Sequence, residues 1–119
     1  MRKIGIVKLN EQGGIICPYC GDGYTHHKNV EVYHRKEDAE DTLRVSIEPI
    51  MEHNDTYEAK DAKVEIRRVD SYVCRNPSSR RGGILITVSC EHCPNDFYVG
   101  ISQHKGVTLM EYFVDDYKE

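Results

Sequence analysis

Tryptophan is absent from this chain and phenylalanine occurs only twice, so eight tyrosines supply nearly all of its large aromatic surface. Most of them must fill a small core. No apolar run approaches the ~20 residues that a membrane-spanning helix needs. The chain contains no Ser-His-Asp elbow, no phosphate-binding glycine loop followed by Lys-Ser or Lys-Thr, and no HExxH pair. Its carboxylates fall into no identifiable acid–base pair. These absences remove the common catalytic signatures and leave no candidate catalytic residue. The segment Met1–Lys8 is too short and too interrupted by charge for a signal peptide. The expected compartment is therefore the reducing cytoplasm, where paired cysteines serve metals or redox chemistry and not structural disulfides.

Overall basicity is missing too, since the formal net charge is −4. That figure hides a segregation. Residues 1–36 carry six Lys/Arg against three Asp/Glu, residues 37–66 three against ten, residues 67–110 six against three, and residues 111–119 one against four. Only a basic face could attract a polyanion here.

What is present is alternation. Ile4, Ile6 and Leu9 are expected in an N-terminal strand, and Asn10–Gly14 in a turn. Val30, Val32 and His34, then Leu43, Val45 and Ile47, alternate with polar residues on either side of the charged turn Lys36–Asp41, which is a hairpin signal. Pro49 is expected to end that hairpin, and Thr56–Lys60 to open at most a short helix. Ala62, Val64 and Ile66 alternate again, and Tyr72 and Cys74 do so weakly. Asn76–Gly83 reads as a loop. The strand Ile84–Val88, the run Phe97, Val99 and Ile101, the turn Gln103–Gly106 and the strand Val107–Val114 complete the pattern. The 119 residues predict one mainly β domain with seven or eight short antiparallel strands and little helix.

Four of the five cysteines form two CxxC pairs, Cys17-Pro18-Tyr19-Cys20 and Cys90-Glu91-His92-Cys93. A two-residue gap lets both sulfurs of one tight turn face the same ion, and two such turns supply the four thiolates of a tetrahedral zinc site. Tetrahedral sulfur suits iron as well, so the ligand set leaves that metal open. A redox CxxC would follow a βαβ pattern, which is absent. Gly21 fits a knuckle residue with positive φ. His26 and His27 follow the first pair and are alternative ligands, His92 is expected at an exposed knuckle tip, and Cys74 is expected to be a buried small hydrophobe. The pairs lie 69 residues apart (positions 21 to 89), far beyond the roughly 15–20 of a minimal ribbon. The expected arrangement is two knuckle regions, 15–24 and 84–103, with an acidic antiparallel insert over about 30–70 that starts and ends near the metal.

A second constellation is Arg75-Asn76-Pro77-Ser78-Ser79-Arg80-Arg81-Gly82-Gly83. Guanidinium forks, hydroxyls and glycine-rich backbone can hold a phosphate. Arg75, Ser78, Ser79, Arg80 and Arg81, with His104 and Lys105 in a second basic turn, are candidate anion or nucleic-acid contacts. Arg67 and Arg68 thicken the patch, and Tyr19, Tyr24 and Tyr98 are candidate stacking rings. A plain solvated hairpin loop is the alternative. The acidic run Glu37–Asp41 reads as a solvated hairpin tip, or as a surface that occupies a protein partner.

At its two knuckles the chain resembles zinc-ribbon and rubredoxin-type knuckle proteins, which implies metal binding and no particular activity. More loosely, through Thr25-His26-His27, Arg35-Lys36-Glu37-Asp38, the Asn76–Arg81 loop and Gln103–Gly106, it resembles small zinc-knuckle proteins of bacteria and their phages, a resemblance that implies no catalytic residue. The sequence therefore points to a non-enzymatic zinc-binding module that binds nucleic acid or another polyanion, or to a protein–protein adaptor or inhibitor acting through the acidic insert.

Overall fold

A computed structural model describes residues 1–48 and 63–115. Pro49, the stretch 50–61 with its candidate helical turn, and Ala62 lie outside the described residues. The described chain is all β: β1 (Arg2–Ile6), β2 (Thr25–His34), β3 (Asp41–Glu48), β4 (Lys63–Asp70), β5 (Gly83–Cys90), β6 (Phe97–His104) and β7 (Val107–Val114). All seven pair antiparallel in one sheet of order β1-β7-β6-β5-β2-β3-β4.

The alternation read from sequence becomes two faces. Register puts Val30 opposite Ile47 and Ile86, Val32 opposite Val45 and Ile84, and Val45 opposite Ile66. Those side chains share the first face, because successive residues of a strand point to opposite sides. Glu31, Tyr33, Leu85, Tyr98 and Phe113 share the second. Each face has its own core. Over β5, β6 and β7 the first face packs Val88, Phe97, Val99 and Tyr112 against Val7, Ile15 and Cys17 of the segment that follows β1. The second face gathers Tyr33, Leu85, Tyr98 and Phe113 under Met1 and the half-buried Cys74. Cys74 packs against this core but is only half-buried, less than the buried thiol expected. Tyr72 and Cys74 form no strand, since residues 71–82 are a loop laid on this face. Gly100 makes that packing fit: a Cβ there would lie 2.4 Å from the Phe113 ring and 2.8 Å from Pro77.

Two turns follow directly from their residues. Asn10 closes its own loop through Oδ1, which accepts from Gln12 N–H (3.0 Å) and Gly14 N–H (2.7 Å). Leu9 lies beyond β1, in an isolated bridge to Ile15, so the N-terminal strand is shorter than its apolar pattern suggests. Between β6 and β7, Lys105 (φ 49°) and Gly106 (φ 78°) give the two left-handed residues of a tight hairpin turn.

The acidic insert is the β3–β4 hairpin added beyond β2. Both its start and its return differ from expectation. β3 begins just before Leu43, which pairs with His34 at the end of β2 remote from Thr25 and the knuckles. The loop after β4 enters β5 at Gly83, which pairs with Tyr33 at the far end of β2, so seven residues of β5 (~23 Å) separate that return from Cys90.

One charge pair is buried in this outer half. Glu31, 5% exposed on the second face, accepts from Arg44 through Nε (3.0 Å) and Nη2, and from the Tyr33 hydroxyl (3.4 Å). Arg44 also reaches Glu65 at 3.1 Å. Removing one member of a buried pair strands the other charge. Arg44→Met should therefore lower the unfolding free energy by about 2–4 kcal/mol in a urea titration, while Glu31→Gln, which keeps an acceptor, should cost less. A loss below ~0.5 kcal/mol for Arg44→Met would show the pair to be energetically idle.

Candidate metal centre

The two CxxC turns are brought together by the β2–β5 ladder. Thr25, the first residue of β2, lies opposite Cys90, the last of β5. Glu91 N–H continues that ladder to Tyr24 C=O at 3.0 Å, and the Thr25 hydroxyl donates to Ile15 C=O at 2.9 Å. The first knuckle is closed by Gly21 N–H to Cys17 C=O (2.9 Å) and Cys17 N–H to Asp22 C=O (2.8 Å). Gly21 takes φ 80°, the conformation its sequence position called for. The second knuckle is the tip of the β5–β6 hairpin, beyond the Val88–Phe97 pair, and His92 N–H donates to Cys90 Sγ at 3.4 Å. From β7, the Tyr112 hydroxyl accepts from Lys8 N–H (3.1 Å) and donates to Ile16 C=O, which pins the segment entering the first knuckle.

The sulfurs of Cys17, Cys20, Cys90 and Cys93 all lie within 4.8 Å of one another. Cys17 Sγ is 4.0 Å from Cys93 Sγ, and Cys20 Sγ is 3.6 Å from Cys90 Sγ. A tetrahedron with metal–sulfur bonds of ~2.3 Å has edges of about 3.8 Å, and the two separations bracket that value. A disulfide needs ~2.05 Å, and all four thiols are free. The knuckle regions thus pack side by side despite the residues between them, and the tetrad is a site able to hold one metal ion. Among the described residues no histidine or carboxylate joins this cluster. His26 and His27 sit exposed on β2, with His26 Nε2 3.4 Å from Glu91.

Crowding four acidic thiols has an electrostatic cost. The Cys93 thiol is pushed up to about 12, first by its contact with Cys20 and then by burial. Burial likewise raises Cys90, whereas the backbone at Asp22 lowers Cys20. A divalent cation that replaces the thiol protons turns this crowding into attraction. Asp22 and His92 complete the outer shell. His92 Nδ1 lies 2.7 Å from Asp22 Oδ2, and the same carboxylate oxygen is 3.9 Å from Cys90 Sγ. His92 is at the exposed tip, as expected, but its partnership with Asp22 ties the two knuckles together. No sequence signal singles out Asp22 or Tyr112, because both act through contacts that only the folded sheet creates.

The anion candidates fare differently. Arg80 makes a two-pronged pair with Asp38 (2.8 and 2.6 Å) and reaches Glu37 at 3.3 Å, as does Arg81. Asp38 N–H donates to Arg80 C=O at 2.9 Å, and Arg35 Nη1 to Ser79 C=O at 3.0 Å. The basic loop and the acidic tip therefore dock on each other. Arg75 lies 4.4 Å over the Tyr98 ring and 2.9 Å from Asp115, which also accepts from the Tyr98 hydroxyl at 2.8 Å. Tyr98 is consequently buried and offers no stacking face, whereas Tyr19 and Tyr24 are exposed. Ser78 is buried, donating to Gly82 C=O (2.6 Å) and accepting from Gln103 N–H (3.2 Å). That bond sets the exposed His104–Lys105 turn beside the loop, so the two basic segments are spatial neighbours. Ser79 remains exposed.

No protein-family model, curated protein or solved structure matches the chain. The site has to be read from its own geometry.

Two outcomes follow from that geometry. Protein purified without chelator should hold about one metal equivalent by elemental analysis, and Cys20→Ser should lose it together with thermal stability, because binding and folding are coupled. Protons compete with the metal for thiolates, so retention should fall as pH is lowered. Metal-free protein of unchanged stability would refute the shared site. The second outcome concerns Asp38, whose carboxyl is held below its usual range by its bond from Arg80. A depressed folded value means that the contribution is present above the ordinary carboxylate pKa and is lost as pH falls through the lowered one. Protection of the Asp38 amide from hydrogen exchange should therefore persist through the ordinary carboxylate range near about pH 4 and drop only below it, and Asp38→Asn should remove that dependence. A pH-independent amide in the wild-type chain would show that the carboxylate does not hold the contact.

Proposed function

We propose that this protein is a non-enzymatic zinc-binding module of the knuckle type, in which the metal is a staple and the sheet surface is the working part. The tetrahedral spacing of four sulfurs carries the reading. Four thiolates complete the coordination of zinc and leave no position for water or substrate. Zinc is the metal proposed because closed four-cysteine sites of this kind are its structural sites. Free thiols throughout agree with a reducing compartment such as the cytoplasm.

The ligand class turns on which surface is available. A nucleic acid or other polyanion at the Arg75–Arg81 loop would have to displace Glu37 and Asp38 from Arg80 and Arg81. Those carboxylates are tethered by the same chain, so they compete at high effective concentration. The acidic tip is engaged by the same contacts, which weakens it as an inhibitor surface. A protein partner on the outer half of the sheet is the better-supported reading. There Leu43, Ile47, Val64 and Ile66 stand exposed side by side on the first face of β3 and β4. Contiguous exposed apolar surface of this kind marks interaction sites.

Titrating fluorescent single- and double-stranded oligonucleotides at increasing salt separates the two classes. The expected result is weak binding with a shallow salt dependence that Arg80→Ala with Arg81→Ala leaves unchanged. Steep salt dependence that flattens by about one unit for each arginine removed would restore the polyanion reading.

A further inference from the structure

The two edges of the sheet are unlike. β1 is broken in register between Lys3 and Gly5, with Gly5 at φ 149°. β4 pairs with β3 without interruption from Asp41–Asp70 to Glu48–Lys63, and its other side meets no described strand. All but one of its eight residues are exposed. A long regular edge is a template for another strand. The charges on β4 then decide which strand fits.

Suppose that β4 meets a second β4 about a two-fold axis normal to the sheet. Such an axis keeps the first faces of both copies on one side and requires one residue to face its own copy. With Ile66 at the axis, Glu65 faces Arg67 of the other copy and Arg67 faces its Glu65. The apolar Ile66 meets Ile66, and Val64 lies under the stem of Arg68. Moving the register by two residues one way opposes Arg67 to Arg67, and the other way Glu65 to Glu65. Like charges directly opposite destabilise a strand pair and opposite charges stabilise it, so of these three registers the one centred on Ile66 is favoured. The register centred on Val64 also sets Lys63 against Glu65 but pairs only residues 63–65 of the described strand.

The charges within one copy favour the same match. On the second face Arg44 lies directly opposite Arg67; Glu65 reaches both at 3.1 Å, and Glu31 is held by Arg44. A second Glu65 brought against Arg67 would give that arginine a carboxylate it does not share with Arg44. Ile66 is 65% exposed and heads the apolar row formed with Val45 and Val32. Joining two copies at Ile66 makes the two rows continuous.

We infer that the protein forms a symmetric dimer by antiparallel pairing of β4 with β4 of a second copy, in the register that sets Ile66 against Ile66 and Glu65 against Arg67. This places a second copy at the edge of the outer half of the sheet and rests on the protein-partner reading above; the apolar first faces of the two copies lie side by side and stay uncovered. A junction of one strand pair sits at the small end of specific interfaces, below about 1,200 Å², so the dimer is concentration-dependent.

Sedimentation velocity of the full chain with its metal, over a range of concentrations, tests the pairing. Wild type should pass from monomer to dimer. Glu65→Arg alone opposes arginine to arginine, and Arg67→Glu alone opposes glutamate to glutamate. Each should weaken dimerisation about tenfold or more. Mixing the two variants restores both complementary pairs, so the mixture should form a heterodimer about as tightly as wild type. That rescue also shows that each variant is folded. Wild type that stays monomeric up to millimolar concentration overturns the inference and hands the edge to a different strand. Dimers that ignore both substitutions, or a mixture no better than its components, overturn it as well. Metal content, measured on the same samples, reports separately on the zinc-stapled module: monomeric protein with one equivalent sinks only the dimer, and metal-free protein sinks the module.

Discussion

Cys90 is at once the last residue of β5, paired with Thr25, and one corner of the sulfur tetrad. The β2–β5 ladder is therefore the constraint on which the rest depends. It carries one knuckle to the other and gives β6 and β7 a neighbour on one side. On the other side it gives β3 and β4 a strand to grow from. The sulfur tetrad and the ladder hold the same two segments together. Closing a loop from Cys20 to Cys90 costs conformational entropy that rises only slowly with its length. Seven cross-strand pairs, and the four metal–sulfur bonds that an ion in the tetrad would add, offset that cost together, which explains how a small module tolerates a large insert between its halves.

Much of this was legible in the sequence, and the reason is local. Period-two alternation at Val30–Val32, Leu43–Ile47 and Ile84–Val88 states the strand, but not which face is buried: on β2 and β3 the buried residues are Glu31, Tyr33, Thr42 and Ser46, on the opposite face. The CxxC spacing states a chelating turn without reference to anything distant. Gly21 and the Lys105–Gly106 turn are likewise decided by backbone sterics at one position. Where the reading stopped short, the missing information was long-range. Arg80 and Asp38 lie 42 residues apart, and each in isolation looks like a free surface charge. Composition separates the basic loop from the acidic tip, whereas the fold presses them together. Tyr98 illustrates the same point: it sits on the buried side of β6 because its neighbour across the sheet is Phe113, a pairing that no local pattern announces.

The insert's return at Gly83 has the same origin. A two-stranded excursion added beyond β2 has to come back along the opposite end of β5, because β5 runs antiparallel to β2 and ends at the knuckle. The loop that makes this return then covers the second core, with Cys74 packed against it and Ser78 bonded to Gln103. One connection thus does the work of a packing layer, in a chain with no helix among its described residues to do so.

The kink at Gly5 bears on how far such a sheet can extend. A strand that is regular on both edges invites addition at each end, and repeated addition has no natural stop. Here the ladder breaks at Gly5, so hydrogen-bond donors and acceptors along the β1 edge fall out of phase with an incoming straight strand. Growth is blocked at that end of every copy. Whatever joins the sheet can do so from one side only, which turns an open-ended polymerisation into a closed count and keeps a strand-rich, helix-poor surface away from fibre formation.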